Sequence, residues 1–387
     1  MKKTIISIFC VLCLMLIPIY SGTIKDDNIV YAETGFKIDA KACLLVDDNF
    51  NTVLYEQNSS ARFPIASMVK LMTILLTYEA LDNNVLTLDT KITTTENASK
   101  MGGSQVFIDP YVDYKAEDLL KSVIMASAND ASVALAEYIS GSESEFVAKM
   151  NKKAQELKMN NTLYANCTGL PAPEQYSCAH DCAIILKEVS KYEHYHKMSK
   201  IWMDTLTHPS GRKTELVNTN KLVRYYKGCT GGKTGSTNEA GYCLSAMANK
   251  NGLNLIAVVI GAKTGQERFK QTTNLFNYGF ANFDNKTIIN VNEPILVNQE
   301  VNKGKIKTVD LYACESYNMI TKKGENKDYE ISYDIQKLVA PIKSGDKVGT
   351  LIISKQGKVL KEIDVVVKQD IKQISLLDSI HKIAEVW

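Results

Sequence analysis

Residues 36 to 56 alternate as strands do in two runs, KACLLVDD and TVLYEQ, with Asp47-Asp48-Asn49 between them. The pattern predicts two strands joined by a turn. From Ser67 to about Leu81 the alternation gives way to Val69, Leu71, Met72, Ile74, Leu75 and Leu76, which leave almost no polar face. A helix apolar all round belongs in the middle of a core. Residues 115–126 and 131–139 read as two helical pieces separated by Ser127-Ala128-Asn129-Asp130, where Asn and Asp favour a turn or a cap over a helix interior. An amphipathic helix is predicted over 143–158. GYCLSAMAN and NLIAVVIGA are β-rich runs joined by Lys250-Asn251-Gly252, a hairpin signal. Helices before and after a sheet imply an α/β arrangement.

After Phe283 the texture changes to short alternating strands with Gly, Asn and Lys turns, as in KTIINV and GTLIISKQGKVLKEIDVVV. A smaller β-rich domain is expected over 286–370, following a larger one over 36–283. The chain closes on ISLLDSIHKIAEVW, where Ile374, Leu377, Ile380, Ile383, Ala384 and Trp387 recur at helical spacing. This predicts an amphipathic helix over 373–387, lying on a membrane surface or on the protein's own surface. At the other end, Met1-Lys2-Lys3 precedes an apolar stretch and the small-residue site Val30-Tyr31-Ala32, which reads as a secretory signal peptide over 1–32. The apolar run is short for a spanning helix.

With 387 residues, 45% of them hydrophobic and 23% charged, the chain can bury more than one core. A net charge of +2 with no dense Lys/Arg tract lacks the electrostatic footprint of a nucleic-acid binder. Of nine cysteines, Cys10 and Cys13 fall in the leader, and the odd, irregularly spaced remainder predicts no disulfide framework. The CAHDC stretch puts Cys178 and Cys182 on one helix face with His180 roughly opposite, so structural zinc, which needs four converging ligands, is not expected.

The apolar helix opens with a hydroxyl and an ammonium three residues apart, Ser67 and Lys70. On one helix face the two meet, and apolar surroundings together with the positive helix N-terminus lower the lysine pKa. Lys70 then acts as a base that makes Ser67 a nucleophile without any histidine, and the outward N–H of Ser67 can serve an oxyanion. Ser-x-x-Lys also occurs at Ser210/Lys213, Ser344/Lys347 and Ser379/Lys382, but only Ser67 opens a buried helix. Two more motifs add weight. Ser127-Ala128-Asn129 sits in the interhelical turn, where the hydroxyl could relay a proton and the amide hold a substrate peptide group; Ser-x-Asn recurs at Ser236/Asn238 and Ser316/Asn318. Lys-Thr-Gly occurs at 233–235, before a short turn and a strand, and at 263–265, where a helix begins. The first is the candidate, with Gly235 expected to lack a side chain so that substrate can lie against the strand.

In this order the three motifs are those shared by penicillin-binding proteins and class A β-lactamases. The sequence resembles the low-molecular-weight penicillin-binding proteins that are serine-type D-alanyl-D-alanine carboxypeptidases, from about Ala40 to Asp370. The likeness includes GGSQVFI (102–108), SANDASVALAEYISG (127–141), NTNKLV (218–223), GGKTGSTNEAGYCL (231–244), ERF (267–269) and APIKSGDKVGTL (340–351). The resemblance implies a β-lactamase/transpeptidase-like catalytic domain, an antiparallel sheet flanked by helices, followed by the small β-rich domain. It implies that Ser67 attacks the carbonyl between two terminal D-alanines of a peptidoglycan stem pentapeptide, that Lys70 takes its proton, and that Ser127, with Lys233 nearby, protonates the leaving D-alanine. Backbone N–H groups of Ser67 and Ser236 would form the oxyanion hole. Lys233, Thr234 and Arg268 would attract the terminal carboxylate, with Gly235 beside them, and Arg suits that task through bidentate geometry. No cofactor or metal is implied; β-lactams would inhibit as substrate mimics, and an exported enzyme would reach the membrane surface through its last helix. The segment 169–183 departs from the family in carrying Pro171, Tyr176 and His180 where Asp, His and Tyr are usual, and Ala128 stands in place of a usual Gly. Two rivals remain, a β-lactamase, for which Glu174 is the one glutamate in GLPAPEQYS, and a non-catalytic wall-binding homologue, although no motif residue is lost.

Overall fold

The computed structural model describes residues 36–49, 52–324 and 329–375. The expected signal peptide and the expected terminal helix beyond Ser375 lie outside the described residues. The two alternating N-terminal runs form antiparallel strands Ala42–Asp47 and Val53–Gln57. They occupy one side of a five-stranded sheet whose order is Val53–Gln57, Ala42–Asp47, Leu253–Ala262, Gly241–Lys250 and Cys229–Thr237. All four pairings are antiparallel.

Both faces of this sheet are covered, which is why its three inner strands, Ala42–Asp47, Leu253–Ala262 and Gly241–Lys250, read as largely apolar runs. Leu44, Val46, Ile256 and Val258 pack on the helical side, while Cys43, Leu45, Leu255 and Val259 face Leu275 and Phe276 of helix Gly265–Asn282. The period-2 alternation thus separates two apolar faces. The turn between Gly241–Lys250 and Leu253–Ala262 has both Asn251 (φ 52°) and Gly252 (φ 79°) left-handed, as a two-residue hairpin loop demands.

The helix predicted from Ser67 is an α-helix over Lys70–Asp82 preceded by a 3-10 turn over Ala66–Val69. Every residue from Lys70 to Tyr78 is buried, and each buried Leu or Ile here contributes roughly 2 kcal/mol through surface removed from water. Helices Ala116–Met125, Asn129–Ser140 and Glu143–Glu156 pack around it. Cys178 is the N-cap of helix Ala179–Ser190, its Sγ accepting from the Asp181 N–H at 3.4 Å. The hairpin Met203–Thr207 with Lys213–Val217 was not expected; only Leu206 and Leu216 are buried and, apart from Met203 and Val217 at its end, the exposed residues are polar, so its apolar signal is thin.

Beyond Phe283 a ribbon of Phe283–Ile289 and Tyr317–Lys322 leads to a second five-stranded antiparallel sheet, ordered Pro294–Glu300, Thr308–Ala313, Lys358–Val367, Lys347–Lys355, Glu330–Ile335. Its separate core includes Leu311, Leu351, Ile353, Ile363 and Val365. Among the described residues no helix is long and apolar enough to cross a membrane.

Candidate active site

Ser67 sits on the 3-10 turn, where residues three apart eclipse, so its side chain stacks directly over that of Lys70. The Lys70 Nζ donates to Ser67 Oγ at 3.0 Å, to Asn129 Oδ1 at 2.6 Å and to the Thr168 carbonyl. These three acceptors match the three protons of an ammonium. Lys70 is fully buried, and desolvation, only partly opposed by Cys167 and Asp130, brings its pKa down to about 7. Near neutral pH it therefore exists in large part as the free amine. Of its three partners Ser67 Oγ is the most distant, and it alone carries a proton that the amine can take.

The second lysine arrives from the sheet edge. Lys233, on strand Cys229–Thr237, donates to Ser127 Oγ at 2.7 Å and to the Thr234 carbonyl at 3.2 Å. Burial first, then the charges of Lys70 and Arg268, hold its pKa well below the usual lysine range. Because Ser127 Oγ accepts from Lys233, its own O–H is left to donate into the site. Ser127 adopts φ +61° and Ala66, beside the nucleophile, φ +48°. Left-handed backbone at two non-glycine positions flanking one site is strain held by the surroundings.

That holding can be traced. Asp130, buried, accepts from the N–H groups of Val106, Ile108 and Ala131, while the Asn129 N–H donates to the Ser104 carbonyl at 2.7 Å. The 104–108 segment and the 127–130 turn are thereby one unit. On the other side, Asn166 Oδ1 accepts from the N–H groups of Thr168 (3.2 Å) and Gly169 (2.7 Å), folding the loop that aims the Thr168 carbonyl at Lys70. Thr234 Oγ1 donates to Thr219 Oγ1 at 2.8 Å, and the Tyr195 hydroxyl accepts from the Gly232 N–H. Thr168, Asn166 and Tyr195 escaped the sequence reading, and Asp130 entered it only as a turn or cap former, because a backbone carbonyl or a structural hydrogen bond leaves no motif.

Two expectations need correction. A Cβ at Gly235 would lie 2.4 Å from the Ile65 carbonyl oxygen and 3.0 Å from the Ser67 nitrogen, so this glycine lets the strand pass against the nucleophile's own turn rather than against substrate. The Asn129 amide is already engaged, with Oδ1 on Lys70 and Nδ2 donating to the Gly102 carbonyl at 2.6 Å. It orients the base instead of waiting for a substrate peptide. Arg268 reaches the site from helix Gly265–Asn282, but its Nη1 donates to the carbonyls of Gly235 (3.2 Å) and Cys243 (3.3 Å), while its Nε is buried without a partner among the described residues. Ser236 is exposed on the same strand. The second Lys-Thr-Gly behaves as a loop: Lys263 forms a surface ion pair with Asp39, and Thr264 caps the following helix. Glu174 is exposed, and among the described residues no carboxylate hydrogen-bonds to Ser67 or Lys70.

A part-buried serine on a buried lysine, a second serine–lysine pair and a partly uncommitted guanidinium could supply a nucleophile, a base, a proton donor and a cationic pocket. Such a set suits acyl transfer from a substrate that carries a negative charge.

Comparison with known proteins agrees. A family model described as D-alanyl-D-alanine carboxypeptidase matches residues 28–264, and one described as penicillin-binding protein 5, C-terminal domain, matches residues 283–373. The D-alanyl-D-alanine carboxypeptidase DacF of Bacillus subtilis is 41% identical over 352 residues, 90% of each chain. DacC of Escherichia coli, a D-alanyl-D-alanine carboxypeptidase, is 33% identical over 87% of this chain and 85% of its own. Penicillin-binding protein 5 from Haemophilus influenzae superposes with a TM-score of 0.71 at 30% identity, covering 88% of this chain and all (100%) of that one. A peptidoglycan synthesis regulatory factor (PBP3) from Streptococcus pneumoniae superposes with a TM-score of 0.73 at 27% identity, over 87% and 100%.

Proposed function

The chain belongs to the D-alanyl-D-alanine carboxypeptidase family and is a serine-type hydrolase of cell-wall peptides, and from that premise we propose that Ser67, Lys70, Ser127 and Lys233 carry its reaction. A stem peptide ending in D-alanyl-D-alanine enters with its terminal carboxylate toward Lys233, Thr234 and Arg268. The observation that carries this reading is the Lys70 amine, desolvated and held 3.0 Å from Ser67 Oγ. Lys70 takes the Ser67 proton as Oγ attacks the penultimate carbonyl. The amide nitrogens of Ser67 and Ser236 stabilise the oxyanion. Ser127 donates its proton to the leaving nitrogen and is resupplied by Lys233, whose charged form the substrate carboxylate favours. D-alanine departs, and water releases the shortened peptide from Ser67.

Asn129 acts by orienting Lys70, and Arg268 by tethering the Gly235 strand while its unpartnered Nε leaves it partly uncommitted toward an anion. β-Lactams, which mimic D-alanyl-D-alanine, acylate Ser67. A β-lactamase would need a second base beside the acyl-enzyme, and exposed Glu174 does not fit that role. The N-terminal leader pattern supports export, to the outer face of the cytoplasmic membrane or the wall, and the spacing in 373–387 supports contact with a membrane surface.

The test is D-alanine release from diacetyl-Lys-D-Ala-D-Ala by the wild type and by Ser67→Ala, beside labelling with a fluorescent penicillin. Release and label both lost in the variant is the expected result. Release that persists in Ser67→Ala would remove Ser67 from the mechanism.

A further inference from the structure

The strand that pairs with Lys233 runs on from Ser245 to Lys250, so its far end lies about 17 Å from the catalytic lysine's register position. There, where the first sheet meets the ribbon leading to the second, is a cavity of about 350 Å³ whose walls include Lys250, Phe280, Asp284, Asn285, Lys286 and Lys323. Both sides of the junction contribute, and the Asn285 Nδ2 donates to the Gly252 carbonyl across it at 3.0 Å.

The charges there are unbalanced. Lys323 donates to the Phe280 carbonyl at 2.8 Å and lies 3.4 Å from the one carboxylate lining the cavity, Asp284. Lys250 is held in place without a carboxylate: its Nζ donates to the Tyr226 hydroxyl at 2.9 Å and sits 4.3 Å from the Tyr226 ring centre and 5.0 Å from that of Phe280. Lys286 is exposed and has no partner among the described residues. Three ammonium groups around one carboxylate leave an excess of two positive charges in a concave space. Concave walls focus that potential, and an anion of matching charge relieves it.

We propose that this cavity binds a phosphate group, either as the free ion or as a phosphodiester. Phosphate has enough oxygens and charge to engage Lys250, Lys286 and Lys323 together, as a single carboxylate does not, and lysines serve phosphate as point charges. Aromatic contacts already order Lys250, so less side-chain entropy is lost on binding. Occupancy bridges the two sides of the junction and leaves Ser67 and its partners untouched.

The experiment is calorimetric titration of the full chain with inorganic phosphate against chloride of equal ionic strength, for wild type, Lys286→Gln and Lys250→Gln. One saturable site in the wild type, weakened about tenfold or more in each variant, is expected, since each removes a charged hydrogen-bond donor. Wild-type penicillin acylation by Lys286→Gln shows that this variant is folded. Phosphatidylglycerol vesicles distinguish the source: binding that phosphate displaces and Lys286→Gln loses identifies a lipid headgroup, whereas a saturable phosphate site without vesicle binding identifies a soluble phosphate or phosphodiester. Absence of saturable binding to phosphate and vesicles alike, or equal affinity in Lys286→Gln, overturns the proposal.

Discussion

The proposed reaction depends on Lys70 being an amine near neutral pH, and the burial of Lys70 gives that requirement a magnitude. Burial takes its pKa from 10.5 to about 7. At about 1.36 kcal/mol per pH unit, this is a differential of about 5 kcal/mol against the charged form. At pH 7 about half of the molecules then hold a free base, against about one in 3000 for an ordinary lysine. The rate constant for acylation of Ser67 by a fluorescent penicillin, followed by stopped flow from pH 5.5 to 9.5 at constant ionic strength, should rise about tenfold per pH unit on the acid side, bend near pH 7 and level off above pH 8. Lys70→Arg keeps a positive charge but cannot lose its proton, so it should lower acylation by about 1000-fold or more and erase the bend. Lys233→Arg should slow the reaction yet leave the bend close to neutrality. An unchanged bend in Lys70→Arg, a flat wild-type profile, or a bend that vanishes only in Lys233→Arg would refute the assignment.

The same burial has a stability consequence with a definite sign. Between pH 7 and 10.5 the unfolded chain holds a proton on Lys70 that the folded chain has released, so stability rises with pH across that window and the full cost is present below it. Relative to Lys70→Met, the wild type should gain about 2 kcal/mol between pH 7 and pH 9 in urea unfolding; parallel pH dependences would contradict this. Gly235→Ala should cut penicillin acylation about 100-fold, because a Cβ 2.4 Å from the Ile65 carbonyl oxygen must push the strand from the Ser67 turn; acylation within threefold of wild type at unchanged melting temperature would show that the contact relaxes harmlessly. Asp130→Asn places an amide donor among the N–H groups of Val106, Ile108 and Ala131, and should cost about 2–3 kcal/mol of unfolding free energy in urea titrations, with a smaller loss pointing to a rearranged segment.

Local periodicity carried much of the architecture. The alternation around Leu44 and Leu45, the unbroken apolar run from Val69 and the left-handed turn at Asn251-Gly252 are short-range constraints, since the pleat, the helical pitch and the turn each engage residues within a few positions. The pairing of Ser67 with Lys70 was legible for the same reason: both lie on one turn. The motifs Ser127-Ala128-Asn129 and Lys233-Thr234-Gly235 could be chosen among their repeats by the elements around them, and the family resemblance assigned them roles.

What only the tertiary structure decided is how these local pieces condition one another. Asn129 and the Thr168 carbonyl, 59 and 98 residues from Lys70, set its hydrogen bonds, and the dehydration that lowers its pKa comes from packing by several distant segments. Gly235 is required by the Ile65 carbonyl, and Arg268 commits its Nη1 to the carbonyls of Gly235 and Cys243 on two neighbouring strands. The lysine cavity at the domain junction exists only because strand end and ribbon meet there. Sequence pattern determines which face of an element is apolar and which side chains sit three apart on it. Desolvation, close backbone approach and charge balance are sums over neighbours brought together by folding, so they have no representation along the chain.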